Sequence, residues 1–197
     1  MKPNLVIAVA RHGQTNSNVR GLWIGTSGDD PLNETGIEQA KALAHSLSEF
    51  SFDFVISSDK MRAVQTAEIV SKTISVPIYG QKPILRDRNY GTLEGMTTEQ
   101  IREKYGVEMR SLSEDIDDLG ATENVSSVLR RVREFVETSK TLFGGKKILV
   151  ITHGAFIRSF YEMYVRDSDG LRFTNCANFV VGFDGDSHEL LRDLRSV

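Results

Sequence analysis

The sequence predicts an α/β fold: a single three-layer domain over residues 1–197, with a mostly parallel central sheet, helices on both faces and an edge hairpin. Three observations predict it. Short apolar runs at Leu5–Ala10, Phe52–Ile56 and Lys147–Ile151 lack polar alternation, which is the habit of strands buried on both faces of a parallel sheet. Segments with apolar residues at helical spacing lie between these runs. No repeat, low-complexity tract or linker divides the chain.

The first strand, Leu5–Ala10, stops abruptly at Arg11-His12-Gly13, and Thr15, Ser17 and Asn18 follow. Gly21, Gly25, Gly28 and Asp29-Asp30 make Val19–Asp30 a loop. Asn33 is a good N-cap for a helix carrying Ile37, Ala40, Leu43, Leu47 and Phe50 on one face. The second strand runs into Ser57-Ser58-Asp59, three capping residue types, so a helix is expected over Lys60–Lys72 with Arg62 in its first turn. Unpaired N–H groups and the dipole at such a helix start favour an anion, as does Arg62.

Ile78–Gly95 has no clean period and reads as a short strand followed by a functional loop containing Arg86, Asp87, Arg88 and Glu94. A short helix over Thr97–Tyr105 is capped by Thr97 or Thr98. Ser111–Asn124 holds no basic residue but Glu114, Asp115, Asp117, Asp118 and Glu123, as in a lid. Thr122 then opens a helix with Val125, Val128, Leu129, Val132, Phe135 and Val136 at helical spacing, ended by Gly144-Gly145. The third strand closes on Thr152-His153-Gly154, and Ala155–Tyr164 continues as helix. Phe179–Phe183, the turn Asp184-Gly185-Asp186 and His188–Leu194 form the hairpin.

Composition narrows the function. A net charge of −3 argues against a general nucleic-acid binder, so any anion site is a local basic cluster. Cys176 is the only cysteine, which excludes an internal disulfide and a multi-cysteine metal site, and suits the cytoplasm. The N-terminal apolar run is too short for a signal sequence or a membrane span. Nothing in the sequence speaks to oligomeric state.

In a mostly parallel sheet the three strand ends open on one side, which brings Arg11, His12, Arg62 and His153 into one crevice. That set suits a tetrahedral dianion, because arginine's planar fork matches phosphate and a histidine can act as nucleophile. His45 and His188, in mid-helix and in the hairpin, read as surface or packing residues. Two histidines flanked by arginines make a poor cation site, so no metal and no cofactor are expected.

These blocks resemble the histidine phosphatase superfamily, in its phosphoglycerate-mutase-like branch. The resemblance spans RHGQTxxN (Arg11–Asn18), Pro31-Leu32 with Gly36 and Gln39-Ala40, SSDxxRAxQTA (Ser57–Ala67), LRDRNYGxLEG (Leu85–Gly95) and His153-Gly154. It implies phosphoryl transfer through a phosphohistidine on His12, with Arg11, Arg62 and His153 around the phosphoryl group and Asn18 bonded to a phosphate oxygen. Gly25, Thr26 and Gly154 join the phosphate- or substrate-binding set. The proton donor falls on Asp87, where relatives commonly carry glutamate, and Glu94 is the rival. A third reading makes Asp87 an ion-pair partner of Arg86 or Arg88.

Phosphatase and mutase share such a site. An acidic lid, a chain shorter than the mutases and the RHGQT form rather than RHGES all favour hydrolysis of a small phosphorylated metabolite. The alternatives are a cofactor-dependent phosphoglycerate mutase and a non-catalytic phospholigand-binding module. Trp23 and Tyr90 are candidates for a pocket wall, in loops whose composition names no leaving group.

Overall fold

A computed structural model describes residues 3–106, 119–120, 123–166, 168 and 171–194. Six strands form one sheet: β1 (Leu5–Arg11), β2 (Phe54–Ser57), β3 (Ile78–Gln81), β4 (Lys147–Thr152), β5 (Asn178–Asp184) and β6 (Ser187–Leu194). Their order is β3-β2-β4-β1-β5-β6. The first four run parallel, and β5 enters antiparallel to β1 with β6 antiparallel to β5 at the edge. The helices are α1 (Asn16–Val19), α2 (Glu34–Leu47), α3 (Met61–Ile74), α4 (Thr98–Tyr105), α5 (Val125–Leu142) and α6 (Gly154–Tyr164).

The unalternating strands are buried on both faces. Leu5, Ile7 and Val9 of β1 pack with Val132, Phe135, Val136, Phe156, Ile157 and Phe160 of α5 and α6. Val6, Ala8 and Ala10 point the other way, against Leu43, Ala44 and Leu47 of α2 and Ala63, Ala67 and Val70 of α3. Ile148 and Val150 of β4 join the first core, Leu149 and Ile151 the second. Among the described residues no helix is long and apolar enough to cross a membrane.

Several boundaries differ from the sequence expectation. Val19, expected to open a loop, instead ends a single helical turn, Asn16–Val19, held by a reciprocal capping box between Thr15 and Asn18. One turn is too short to leave a hydrophobic period. The Ser57–Asp59 caps do not cap α3. Its N-cap is Lys60, without a side-chain bond, and Asp29 from the preceding loop instead accepts from the Met61 amide at 2.6 Å. Long-range capping of this kind leaves no local signature. Asn124 caps α5, its side chain accepting from Ser127 N, and Thr122, expected to open this helix, lies outside the described residues. Thr97 caps α4 in a capping box with Gln100. The acidic lid lies mostly outside the described residues.

The loop after β1 is locked onto the first turn of α2. Gln14 N donates to Gln39 Oε1 at 2.9 Å and Gln14 O accepts from Asn33 N at 3.0 Å. The backbones approach so closely that a Cβ on Gly36 would stand 2.1 Å from the Gln14 carbonyl oxygen, and one on Gly13 would stand 2.5 Å from that of Gly36. Both neighbours are backbone and cannot rotate away. Gly36→Ala is therefore expected to lower stability by about 1–3 kcal/mol, read as a fall in the thermal midpoint. An unchanged midpoint would mean the His12 loop can move aside freely.

Candidate active site

The parallel strands deliver their ends to one edge in register, Arg11 pairing with Thr152 and Ser57 with Ile151. His12 continues from β1, its amide donating to the Thr152 carbonyl at 2.9 Å, and His153 continues from β4. The two rings meet edge to face with centroids 5.1 Å apart. Arg62, in the first turn of α3, reaches across so that its Nε donates to His12 Nε2 at 3.3 Å. Both histidines and Arg62 are buried. The structure thus gathers four residues separated by up to 142 positions in sequence (153 − 11).

The imidazole of His12 has a defined tautomer. Its Nδ1 lies 2.7 Å from the Gly13 carbonyl, which can only accept, so Nδ1 carries the proton and Nε2 a lone pair. Gly13 is held in turn, its amide donating at 3.0 Å to Thr66 Oγ1, which donates to the Arg62 carbonyl at 2.7 Å. Burial, then the charges of Arg11 and Arg62, push the His12 pKa well below its ordinary value. His153 is also pushed well down, by burial first and then by Arg62. Burial and the neighbouring arginines thus favour the neutral form of both rings.

Several polar groups are left for a ligand. Arg11 Nη1 donates to the Phe173 carbonyl at 2.8 Å, while the buried Arg11 Nε and both ring nitrogens of His153 have no partner among the described residues. Buried donors of this kind are rare away from functional sites. Asn18 Oδ1 accepts from Thr15 N at 3.2 Å and Asn175 Nδ2 at 3.0 Å, which leaves the Asn18 NH2 for the adjoining cavity. That cavity has a volume of about 730 Å³, and its lining includes Arg11, His12, Asn18, Arg62, Asp87 and Gly154. His153 is not among the residues that line it. Trp23 and Tyr90, their rings tilted by 60° with centroids 5.0 Å apart, form an outer wall.

Gly25 and Thr26 do not line the cavity. The Gly25 carbonyl accepts from Arg62 Nη2 at 2.9 Å and the Gly28 carbonyl from Nη1 at 3.2 Å, so this loop aims Arg62. Gly25 has φ +52°, and a Cβ there would stand 2.1 Å from Glu94 Oε1. Glu94 itself accepts from the amides of Thr26 at 2.9 Å, Ser27 at 2.7 Å and Tyr90 at 3.0 Å, tying two loops together. It is absent from the cavity lining.

Asp87 faces the cavity. Its Oδ1 accepts from Ala155 N, in the first turn of α6, and from Arg88 N, both at 3.0 Å. Burial raises its pKa, against the opposing pull of Arg62. Arg86 pairs with Asp59 instead, its Nε lying 2.8 Å from Asp59 Oδ1.

Sequence reasoning missed Asn175 and Arg158. Asn175 Nδ2 also donates to the His12 carbonyl at 3.1 Å, from a turn where Cys176 holds φ +61°. Because β5 runs against the other strands, the residues before it arrive at the same edge as the ends of β1 and β4; that reversal was the available signal. Arg158 donates to the Ser168 Oγ and Leu171 carbonyl, both at 2.9 Å, bracing the loop whose Phe173 anchors Arg11. Its spacing from Gly154, one turn earlier on α6, was the signal there.

The neutral histidines also set an acid limit to stability. Their folded pKa values lie below the unfolded ones, so below about pH 6.5 the unfolded chain binds protons that the native chain refuses. Each histidine is expected to remove up to ~1.4 kcal/mol per pH unit until its folded pKa is reached. Asp87 works in the opposite direction, its raised pKa favouring the fold as pH drops. Urea unfolding at several pH values should give a shallower acid slope for His153→Gln than for wild type. Equal slopes would contradict the neutral assignment.

The sequence profile of the histidine phosphatase superfamily (branch 1) matches residues 7–193. The metal-independent phosphoserine phosphatase of Arabidopsis thaliana is 30% identical over 179 residues, covering 89% of this chain and 75% of that protein. The 2,3-bisphosphoglycerate-dependent phosphoglycerate mutase of Rhizobium etli is 33% identical over 164 residues, covering 78% and 77%. The mycobacterial glucosyl-3-phosphoglycerate phosphatase, solved with VO3, shares the fold at a TM-score of 0.81 and 22% identity, covering 97% of this chain and 99% of that one. With a profile match across nearly its whole length, the chain belongs to the histidine phosphatase superfamily.

Proposed function

We propose that this chain hydrolyses phosphate monoesters of small metabolites through a covalent phosphohistidine on His12, without a metal. The observation that supports this best is the fixed tautomer: Nδ1–H is spent on the Gly13 carbonyl and Nε2 offers a lone pair toward the Arg62 fork. A neutral imidazole is required for attack, and burial keeps it neutral.

In this reading the substrate phosphoryl group sits among Arg11, Arg62, Asn18 and the start of α6 at Gly154, with His153 beside His12. Arg62 Nε shifts from His12 Nε2 to a phosphoryl oxygen as substrate arrives. Nε2 then forms a bond to phosphorus while the P–O bond to the leaving group breaks. Negative charge on the equatorial oxygens is met by arginine donors already in position. Asp87, whose pKa burial raises, gives its proton to the leaving oxygen. Water next attacks phosphorus, Asp87 takes back a proton, the P–N bond breaks, and free phosphate and neutral His12 remain. Glu94, with its oxygens committed to three amides, holds the loops.

A mutase reading has one observation in its favour. Arg102 and Arg172 line the outer cavity, where they suit the second charge of a bisphosphorylated intermediate. Relatives of both activities match this chain, at 30% and 33% identity. A reducing cytoplasmic setting suits the free, buried Cys176.

Rapid mixing with a radiolabelled phosphomonoester, quenched in acid or base, separates these readings. The expected result is a base-stable, acid-labile phosphoenzyme and steady phosphate release. Bisphosphoglycerate-dependent turnover of phosphoglycerates that exceeds hydrolysis would overturn the assignment in favour of a mutase.

A further inference from the structure

The Asp87 loop has little regular structure of its own: a single 3-10 turn at Pro83–Leu85 precedes it and another at Gly91–Leu93 follows. Its shape is imposed by α5. Arg131 Nη1 donates to the carbonyls of Ile84 at 2.7 Å and Arg86 at 2.9 Å, and Nη2 to that of Asp87 at 3.3 Å. Nε and the remaining Nη2 hydrogen go to the two oxygens of Glu123, at 2.7 and 2.9 Å. All five guanidinium donors are thereby used, three of them on consecutive turns of one loop.

Glu123 closes the loop from the other side. Its Oε2 accepts from the Asn89 amide at 3.1 Å, its amide donates to the Asn89 carbonyl at 3.2 Å, and its carbonyl accepts from Arg88 Nε at 2.7 Å. The pair is mostly buried, with side chains 20% and 17% exposed. Neither residue lines the cavity that holds His12. A buried ion pair is a weak source of net stability. What this one supplies is the position of the loop's backbone, and with it the position of the Asp87 carboxyl.

We infer that Arg131 and Glu123 are positioning residues that hold Asp87 for proton transfer to the leaving group, without touching the substrate. The inference rests on the reading of Asp87 as the acid, and its test must keep the two apart. Proton donation matters for an alkoxide leaving group and little for a nitrophenolate, whereas loss of phosphate binding or of fold affects both. The measurement is the single-turnover rate of phosphoenzyme formation with glycerol 2-phosphate and with p-nitrophenyl phosphate, on intact protein.

Asp87→Asn is the reference and should lower the alkyl rate relative to the aryl rate by about 10²- to 10⁴-fold. Arg131→Met should lower the same ratio by about 10- to 100-fold, the scale of a catalytic group misplaced by an ångström or so. Glu123→Gln should move it in the same direction, and Arg131→Lys should restore little, since one ammonium cannot span three carbonyls and a carboxylate. Adding Arg131→Met to Asp87→Asn should produce no further change in the ratio. If Asp87→Asn leaves the ratio unchanged, the acid assignment falls and this inference with it. If Asp87→Asn lowers it while the Arg131 and Glu123 variants slow both esters equally, the clamp is structural only and the inference alone is overturned. Should Arg131→Met fail to fold, the near-isosteric Glu123→Gln decides the matter by the same ratio.

Discussion

His12→Ala is expected to abolish the acid-labile phosphoenzyme and to reduce phosphate release by on the order of 10⁴- to 10⁶-fold. The size follows from how little else in the site can replace the lost nucleophile. His153 is the nearest imidazole, 5.1 Å away between ring centroids, but it is fully buried and does not line the cavity. Among the described residues no backbone carbonyl fixes its tautomer as Gly13 fixes that of His12. The variant should keep its fold, because the loop is held by backbone bonds from Gln14, Gly13 and Asn33 that do not involve the imidazole. It should still bind inorganic phosphate, since Arg11, Arg62 and Asn18 remain. Phosphoenzyme that persists in His12→Ala would move the nucleophile elsewhere.

Arg62→Ala should be nearly as damaging, with kcat reduced by about 10³- to 10⁵-fold, the range for an arginine that meets transition-state charge in phosphoryl transfer. Here one guanidinium orients His12 through Nε and clasps the Gly25–Gly28 loop through both Nη groups. Arg62→Lys should recover little, because an ammonium keeps the charge and loses the fork that spans those partners. Competitive inhibition by inorganic phosphate should weaken in both variants. A Lys variant close to wild type would mean that charge alone matters at this position.

The strands and the reactive cluster were legible in the sequence for the same reason. Leu5–Ala10 and Ile148–Ile151 are uninterrupted apolar runs, and parallel strands of that kind must end together, so Arg11-His12 and His153 could be placed side by side before any coordinates. What escaped was fixed by contacts between segments far apart. Asp29 capping α3, Glu94 gathering amides from two loops and Asn175 bridging His12 and Asn18 are polar side chains whose partners lie from 4 to 163 positions away. A polar residue in a loop looks the same in sequence whether it meets water or a backbone amide. Glu123 was hidden differently: a member of an acidic run expected to form a lid, it makes a mostly buried ion pair with Arg131, at a helix position that no sequence pattern singles out.

Within this sheet β1 is synthesised before every other strand, yet the two that flank it, β4 and β5, follow only after β2 and β3. Val9 pairs with Val150 on one side and Phe179 on the other. While the chain is growing, Leu5–Ala10 is therefore an apolar, sheet-prone segment without its neighbours, the kind that associates with other chains when left exposed. Closing those long loops is slow, and little of the sheet can settle before they close. A nascent chain halted before Lys147 carries His12, Arg62 and Asp87 and still has no crevice to put them in. Enzymatic competence should accordingly arrive late and in a single step, when the final strands slot in beside the first.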